Sequence, residues 1–542
     1  MKELHGIGVF NGVVVGPVYF YAPGRCTVSD EKVTDPEPEL ARFEIARLRA
    51  QRQLKGLYDQ ALAQAGEESA AIFDIHQMML DDQDYIDSVR GLIEKGHDNA
   101  ARAVQKTGAR FARMFSEMED EYMQARSADV LDISRRVIQI LCGAEGETPG
   151  LEVPSIIVAE DLTPSQSMQF EREKVLAFAT AKGSACSHTA ILSRTKGIAA
   201  VVGLGEEVCS AWHGKTAILD GKKGLLIVDP DEPTLAAAQE QIKCQEKEAQ
   251  ALEALKGTPD RTIDGREIKL FANVGNVEEL KDALARDARG VGLFRTEFLY
   301  LQSSDYPSEE EQFRVYRQAA QLMNGRKIIF RTLDIGADKN APYFDLPKED
   351  NPALGLRAVR LCLVRPDLFK TQLRALLRAS AFGNVSIMYP MITSAAEVLQ
   401  VKKVVEEVKA QLRAEQIPFD EQLETGIMIE TPAAALVSDE LAPLVDFFSV
   451  GTNDLTQYTC ALDRQNQSLD RFLDVHHPAV LRLIEMAAQN AHAAGKWIGI
   501  CGELGGDLEL TESFLRMGID ELSVSAPKVL MLRQKIQSLD IK

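Results

Sequence analysis

Eight cysteines occur in 542 residues and none stands in a CxxC pair, the spacing a structural zinc site or dithiol redox centre requires. They are scattered (Cys26, Cys142, Cys186, Cys209, Cys244, Cys362, Cys460, Cys501). All but Cys501 are expected to be small buried apolar residues in a reducing cytosol. Basic residues are also short, 61 against 81 acidic for a net charge of −20. That sets nucleic acid aside as a main partner, because phosphate backbones demand clustered Lys and Arg, and it suits a basic protein partner. No window reaches the roughly 18 uncharged apolar residues of a membrane span. The opening MKELHGIGVF is broken by charge, His and Gly, so it lacks a signal-peptide core. A cytoplasmic protein without membrane insertion is expected.

What is present falls into blocks. Residues 1–30 alternate Gly with β-branched and aromatic residues and read as the start of an α/β domain. Over 31–143 the apolar residues take helical spacing (Phe43, Leu48, Leu54, Leu57, then Ile72, Ile75, Met79), which predicts a helical subdomain inserted into that domain. The α/β pattern resumes over 144–230 with SIIVAED, KVLAFAT, AAVVGL, TAILD and LLIVD. A linker helix rich in Ala, Glu, Gln and Lys is expected over 231–258. From 259 to 542, eight β-like runs alternate with helical stretches (EIKLFANV, GVGLFRT, KIIFRTL, VSIMYPM, GIMIET, FFSVGT, WIGICG, ELSVSA), the signature of a (β/α)8 barrel.

Barrel chemistry sits where strands end, and these ends carry Arg295, Arg331, Glu430, Asn453, Asp454 and Cys501. Either arginine alone is more often a structural ion pair, but two at neighbouring strand ends imply a multiply anionic ligand. Glu430 and Asp454 are hard oxygen donors of the kind Mg²⁺ takes together with substrate oxygens and water, so a metal-bridged phosphate is inferred. Cys501 is equally open to a core role and to general-acid work, with Gly502 letting the backbone bend beside it.

Of eight histidines, only His188 lies in a run of small residues, GSACSHTAILSR, at the start of an apolar helical stretch. Ser187 or the loop before it can cap that helix, whose unpaired N–H groups favour a phosphate on the imidazole. One neutral ring nitrogen is a nucleophile near pH 7.

SHTAILSR, GLFRTEFL, FRTLDIGADK, NPALGLRAVR, GIMIETPAAA, FFSVGTNDLTQYTCALDR and CGELGGD, in this order and spacing, resemble the successive motifs of the Enzyme I family of the phosphoenolpyruvate-dependent sugar phosphotransferase system, across essentially the whole chain. The resemblance implies that His188 is phosphorylated and that Arg295, Arg331, Asn453, Asp454 and Arg464 hold phosphoenolpyruvate. It implies further that Glu430 and Asp454 ligate Mg²⁺, that Cys501 protonates the pyruvate enolate, and that the barrel domain forms a homodimer. It implies a small histidine-containing phosphocarrier protein as acceptor, feeding sugar uptake. The loop departs from the family's Gly-Gly-x-Thr-Ser-His, reading Gly183-Ser184-Ala185-Cys186-Ser187-His188, while Ser167 falls where the family has a hydroxyl facing the histidine; Ala337 replaces a common Gly.

Two alternatives share the fold: a non-catalytic regulatory paralogue, which the altered loop allows, and an enzyme resembling pyruvate phosphate dikinase. The latter needs a nucleotide-grasping domain, and the 187 residues before His188 show no Gly-rich nucleotide loop. Finally, Glu67, Glu68, Asp81, Asp82 and Asp84, with a further run Glu119, Asp120 and Glu121, form either a solvated helical face or, by the resemblance, a dock for the carrier's basic surface.

Overall fold

Parallel strands cannot be joined by a hairpin and need a crossover of a dozen residues or more. In the unit Met1–Lys247 one such crossover has grown into a subdomain. A computed structural model describes all residues except 22–27, 66, 119–120, 144–150, 164–165, 167–169, 171, 185–186, 188, 191–192, 195–196, 304, 337–341, 348 and 465, and within elements omits the side chains of 60–71, 121–125, 467–468 and 470.

Strands β1 (Lys2–His5), β2 (Ile7–Phe10) and β3 (Val13–Tyr21) are followed by helices α1 (Glu37–Ala65), α2 (Glu67–Asp81), α3 (Gln83–Glu94), α4 (Ala100–Ser116) and α5 (Glu121–Leu141). The chain then returns as β4 (Ser155–Ala159), which pairs in parallel with β3. The helices are therefore an insertion between neighbouring strands. With β5 (Val175–Thr180), β6 (Ala199–Val202), β7 (Thr216–Asp220) and β8 (Leu225–Val228), the sheet order is β1-β8-β7-β3-β4-β5-β6-β2. From β3 through β6 neighbours run parallel.

The helical core contains Phe43, Leu54, Phe73, Leu80, Val89 and Ile93. On α2 the inward stripe is one position out of the expected phase. Phe73, His76 and Leu80 are buried, whereas Ile72, Ile75 and Met79 flank the core and Leu48 of α1 is exposed. A polar residue sits in that stripe because the His76 Nε2 lies 3.2 Å from Asp129 Oδ1, which gives the buried ring a partner. The cysteines also depart from expectation. Cys362 and Cys501 are buried and Cys460 is half-buried, but Cys209 and Cys244 are exposed and Cys142 is disulfide-bonded. Cysteine usage by itself thus assigns no reducing compartment.

Helix α6 (Glu232–Glu253) buries only Ala238, and the two units divide within it, the second being Glu248–Lys542. Here eight parallel strands close into a barrel: β9 (Lys269–Val274), β10 (Val291–Arg295), β11 (Ile328–Arg331), β12 (Val385–Tyr389), β13 (Glu424–Ile429), β14 (Phe447–Val450), β15 (Trp497–Ile500) and β16 (Glu521–Ser525). The matching runs were those expected from sequence. Residues alternate between the barrel interior and the helical layer. Leu293, Ile329, Met388, Met428, Phe447 and Cys501 cluster together, separately from the large cluster that includes Phe294, Phe330, Ile387, Ile427 and Ile500. At the start of the strands Trp497 stacks on Phe447 (4.5 Å, 10°).

The C-terminal helix Val529–Gln537 is fastened by Arg533, which is fully buried. Its Nε donates to Asp260 Oδ1, its Nη1 to Asp287 Oδ2 (2.6 Å) and to the Leu255 carbonyl (3.1 Å), and its Nη2 to the Asp287 carbonyl (2.8 Å). Removing one partner of a buried pair strands the other's charge. Arg533→Ala is expected to destabilise the barrel by about 3 kcal/mol or more, read as a downward shift of the urea midpoint in the full chain; a shift equivalent to less than about 1 kcal/mol would make the network a surface-like set of pairs.

Candidate active site

Arg331 closes β11, and its guanidinium is buried between two carboxylates, with Nη2 2.6 Å from Glu297 Oε1 and Nη1 3.0 Å from Asp334 Oδ2. Desolvation pulls its pKa down, but Glu297, Asp334, Glu430 and Asp454 outweigh it and raise the pKa overall. Asp334 serves a second arginine: Arg357, just before the helix Ala358–Val364, donates to Oδ1 from Nη2 at 2.8 Å.

Glu430 follows β13 and is fully buried. Its Oε1 accepts from the Met391 amide, while Oε2 has no hydrogen-bond partner among the described residues. Burial, then the charges of Asp454 and Asp334, push its pKa well above the usual carboxylate range, with Arg331 opposing. A Cβ on Gly451 would lie 3.0 Å from Oε2, so the small residue leaves that oxygen room. Asp454, 7% exposed, stands in the first turn of the helix Thr452–Cys460 that follows β14. Its Oδ1 is likewise without a hydrogen bond among the described residues, with Arg464 Nη2 3.5 Å away. In this wall four carboxylates (Glu297, Asp334, Glu430, Asp454) face two buried guanidiniums (Arg331, Arg357), so full ionisation leaves negative charge in excess. Two carboxylate oxygens without hydrogen bonds in such a field, one of them facing Arg464, have the chemistry of a divalent-cation site. No group of three or more His, Cys, Asp or Glu side chains forms a metal cage among the described residues.

Arg295 ends β10 with its side chain about 40% exposed. The guanidinium lies over Phe298 (5.0 Å), with Nη2 3.9 Å from Glu279 Oε2. Arg464 is exposed. Asn453 spends both ends of its amide on the following turn, Oδ1 accepting from the Glu503 amide and Nδ2 donating to Glu503 Oε1. Cys501 is buried in the barrel cluster, and its thiol donates to the Val450 carbonyl at 3.7 Å. Burial pushes the thiol up to about 12, with the Ser449 hydroxyl acting in the opposite direction. Such a thiol stays protonated. Gly502 is extended (φ −78°), and a Cβ there would collide with Thr452. Close approach between strand ends, rather than a bend, is what demands glycine.

His188, Ser167 and Ala337 lie outside the described residues. The loop's base is described: after β5, Leu204 N donates to the Thr180 carbonyl (3.0 Å) and Gly205 N to the Ala181 carbonyl (2.9 Å), tying the start of the loop to the segment after β6. The loop thus leaves the carboxyl ends of parallel strands, where open α/β sheets bind ligands. Gly183 takes φ +109°, a backbone state that favours glycine. Ser187 Oγ is buried without a hydrogen bond among the described residues, so it makes none of the expected capping contact there.

On the helical subdomain the acidic residues are divided between two helices. Asp81 ends α2 and accepts from Arg47, and Asp82 caps α3 by accepting from the Tyr85 amide (3.0 Å); Asp84 is exposed in the first turn of α3. The side chains of Glu67, Glu68 and Glu121, and residues Glu119 and Asp120, are outside the described set.

Glu297, Asp334 and Arg357 were not singled out from sequence. Each stood inside a quoted motif, GLFRTEFL, FRTLDIGADK or NPALGLRAVR, as an opposite charge two or three residues from a chosen arginine or as a further arginine.

Three family models match the chain: "PEP-utilising enzyme, N-terminal" over residues 5–126, "PEP-utilising enzyme, mobile domain" over 151–224 and "PEP-utilising enzyme, PEP-binding domain" over 249–541. Among curated relatives, the phosphoenolpyruvate-protein phosphotransferase of Bacillus sp. (strain S) is 42% identical over 541 residues, covering 99% of this chain and 93% of that protein. Its counterpart from Geobacillus stearothermophilus is also 42% identical, covering 99% and 93%. That of Bacillus subtilis (strain 168) is 40% identical, covering 99% and 95%.

Because Asp334 is shared by two buried guanidiniums, Asp334→Asn is expected to cost about 3 kcal/mol or more, measured by chemical denaturation of the full chain. Asp334→Glu should recover part of it. Equal stability of Asn and wild type would mean that both guanidiniums reach water.

Proposed function

The chain belongs to the phosphoenolpyruvate-protein phosphotransferases, and from that membership we propose that it moves the phosphoryl group of phosphoenolpyruvate onto His188 and on to a small histidine-containing phosphocarrier protein, feeding sugar uptake. The observation that carries the donor half is the wall formed by Arg331, Glu430 and Asp454, where a buried fork lies near two carboxylate oxygens that lack hydrogen bonds among the described residues. A regulatory paralogue would have no need to keep that wall, and full-length relatives at 40–42% identity favour a phosphotransferase over a dikinase.

Arg331 and Arg295 bind the phosphate and carboxylate of phosphoenolpyruvate as planar donors, Arg464 closes the rim, and Asn453 and Asp454 orient the substrate. Glu430 Oε2 and Asp454 Oδ1, neither of them hydrogen-bonded among the described residues, would hold Mg²⁺ as hard oxygen donors. When bound, the ion supplies charge neutralisation on the phosphate. A neutral nitrogen of His188 attacks phosphorus in line, the bond from phosphorus to the enolate oxygen breaks, and the enolate takes a proton at carbon from the neutral thiol of Cys501. Catalysis is then chiefly positioning and charge neutralisation.

The acceptor and donor pocket belong to separate units, so they separate genetically. With phosphoenolpyruvate and Mg²⁺, an acid-labile phosphate is expected on His188 by mass spectrometry. His188→Ala should abolish it while leaving phosphoenolpyruvate affinity within a few-fold by calorimetric titration. Affinity lost together with transfer would place the histidine in the donor pocket.

A homodimer formed through the barrel, a cytoplasmic setting, and carrier docking on the acidic stretches Glu67, Glu68, Asp81, Asp82 and Asp84 complete the proposal; no described helix is long and apolar enough to cross a membrane. Charge complementarity acts mainly on association rate and is screened by salt. Phosphotransfer to the carrier should fall several-fold between low and high salt while the first half-reaction changes little. Reversing Glu68 and Asp84 to Lys, which spares the Asp82 cap, should mimic high salt. Unchanged carrier kinetics would leave these residues to solubility.

A further inference from the structure

Beneath Cys501 the barrel interior is polar in a way that substrate binding does not require. Glu521, the first residue of β16, is fully buried, and both its carboxyl oxygens lack hydrogen-bond partners among the described residues. The same holds for Ser523 Oγ, Ser449 Oγ and Asn273 Oδ1. Buried polar groups are nearly always satisfied by protein or by ordered water, so five such atoms within one half of the barrel mark a shared function.

The register shows how they meet. Ser449 pairs with Gly499 and Gly499 with Glu521 across β14, β15 and β16. Gly499 is two residues before Cys501, so both face the same side of their strand. A Cβ on Gly499 would collide with Glu521 Oε2, and one on Gly292 with Glu521 Oε1 and Ser523 Oγ. The two glycines open the space that the Glu521 carboxyl fills directly below the thiol. Asn273 Nδ2 donates to the Cys501 carbonyl (2.8 Å) and the Ser523 carbonyl (3.2 Å), fixing these strands together.

Burial pushes Glu521 up to about 8, with Lys269 and Lys327 opposing and Asp520 adding to the rise. Glu521 therefore holds a proton near neutral pH. Below it, Lys269 and Lys327 lie over the Trp497 ring at 4.2 and 5.4 Å, and Lys327 also pairs with Glu424. Lys269 is exposed, which links the barrel floor to solvent.

The geometry points to Glu521 as the internal proton reservoir of the barrel, returning a proton to Cys501 by way of the Ser449 and Ser523 hydroxyls. It rests on the reading of Cys501 as the acid. In each turnover the thiol S–H bond breaks as the enolate C–H bond forms. The thiolate then takes a hydroxyl proton, that oxygen is reprotonated along the chain by Glu521, and the carboxylate recovers a proton from solvent at the Lys269 floor. Glu521 never touches substrate; it acts through Cys501.

Rapid-mixing kinetics with full-length enzyme, phosphoenolpyruvate, Mg²⁺ and excess phospho-acceptor test this. Glu521→Gln, an isosteric neutral change, should release a burst of one pyruvate per subunit at the wild-type rate, since the first thiol is already loaded, followed by steady turnover at least tenfold slower. Ser449→Ala should give the same pattern even if the Gln variant fails to fold, and the double variant should be no slower than either single. A merely structural role would slow the first turnover too. Steady turnover within twofold of wild type in both variants overturns the relay. Cys501→Ala separates the layers: slow from its first turnover, it upholds the acid, so that normal Glu521→Gln kinetics beside it sink the relay alone. Normal turnover in Cys501→Ala sinks the acid and the relay with it.

Discussion

A surplus of buried negative charge organises the barrel mouth. Glu297, Asp334, Glu430 and Asp454 converge on Arg331 and Arg357, and with Arg464 beside Asp454 the carboxylates still outnumber the guanidiniums. The tension is relieved in part by raising Glu430 towards its neutral form, chiefly through burial and the charges of Asp454 and Asp334. Arginine is suited to its place for the complementary reason. Its fork stays charged when buried and engages two carboxylates at once, which a lysine cannot do.

The interior below the mouth follows another rule. Barrel layers are ordinarily filled by branched apolar side chains, and here Leu293, Ile329, Met388, Met428 and Phe447 do so on one side. On the other side glycines at 292 and 499 surrender their volume to a carboxyl group. Polar groups so placed, without hydrogen-bond partners among the described residues, are costly to bury. The Trp497–Phe447 pair stacks at the floor, and two lysines over the Trp497 ring hold positive charge near the buried acid.

The N-terminal unit separates its tasks by topology. The helices leave the sheet after β3 and return at β4, so they carry surface features without disturbing the parallel strands from whose ends the histidine loop departs. Its acidic residues are not uniform: all three of Asp81, Asp82 and Asp84 are exposed, but Asp82 also caps α3 and Asp81 pairs with Arg47.

Much of this was legible in the sequence by itself. Eight alternating runs determine a barrel because strand and helix periods differ and a parallel sheet of that count closes on itself. Strand-end position alone selected Arg331, Glu430 and Asp454, and motif order determined the family. Only the tertiary structure decided the rest. Which carboxylates enclose Arg331 depends on segments as far apart as Glu297 and Asp454 meeting at one wall. The phase of α2 depends on Asp129 supplying a partner for His76 from another helix. Glu521 reads in sequence as an ordinary charge at the start of an apolar run; that it is buried and set below Cys501 follows from strand register and from two glycines on other strands. Periodicity reports which face a residue takes, whereas the partners that set its charge state are brought by chain closure.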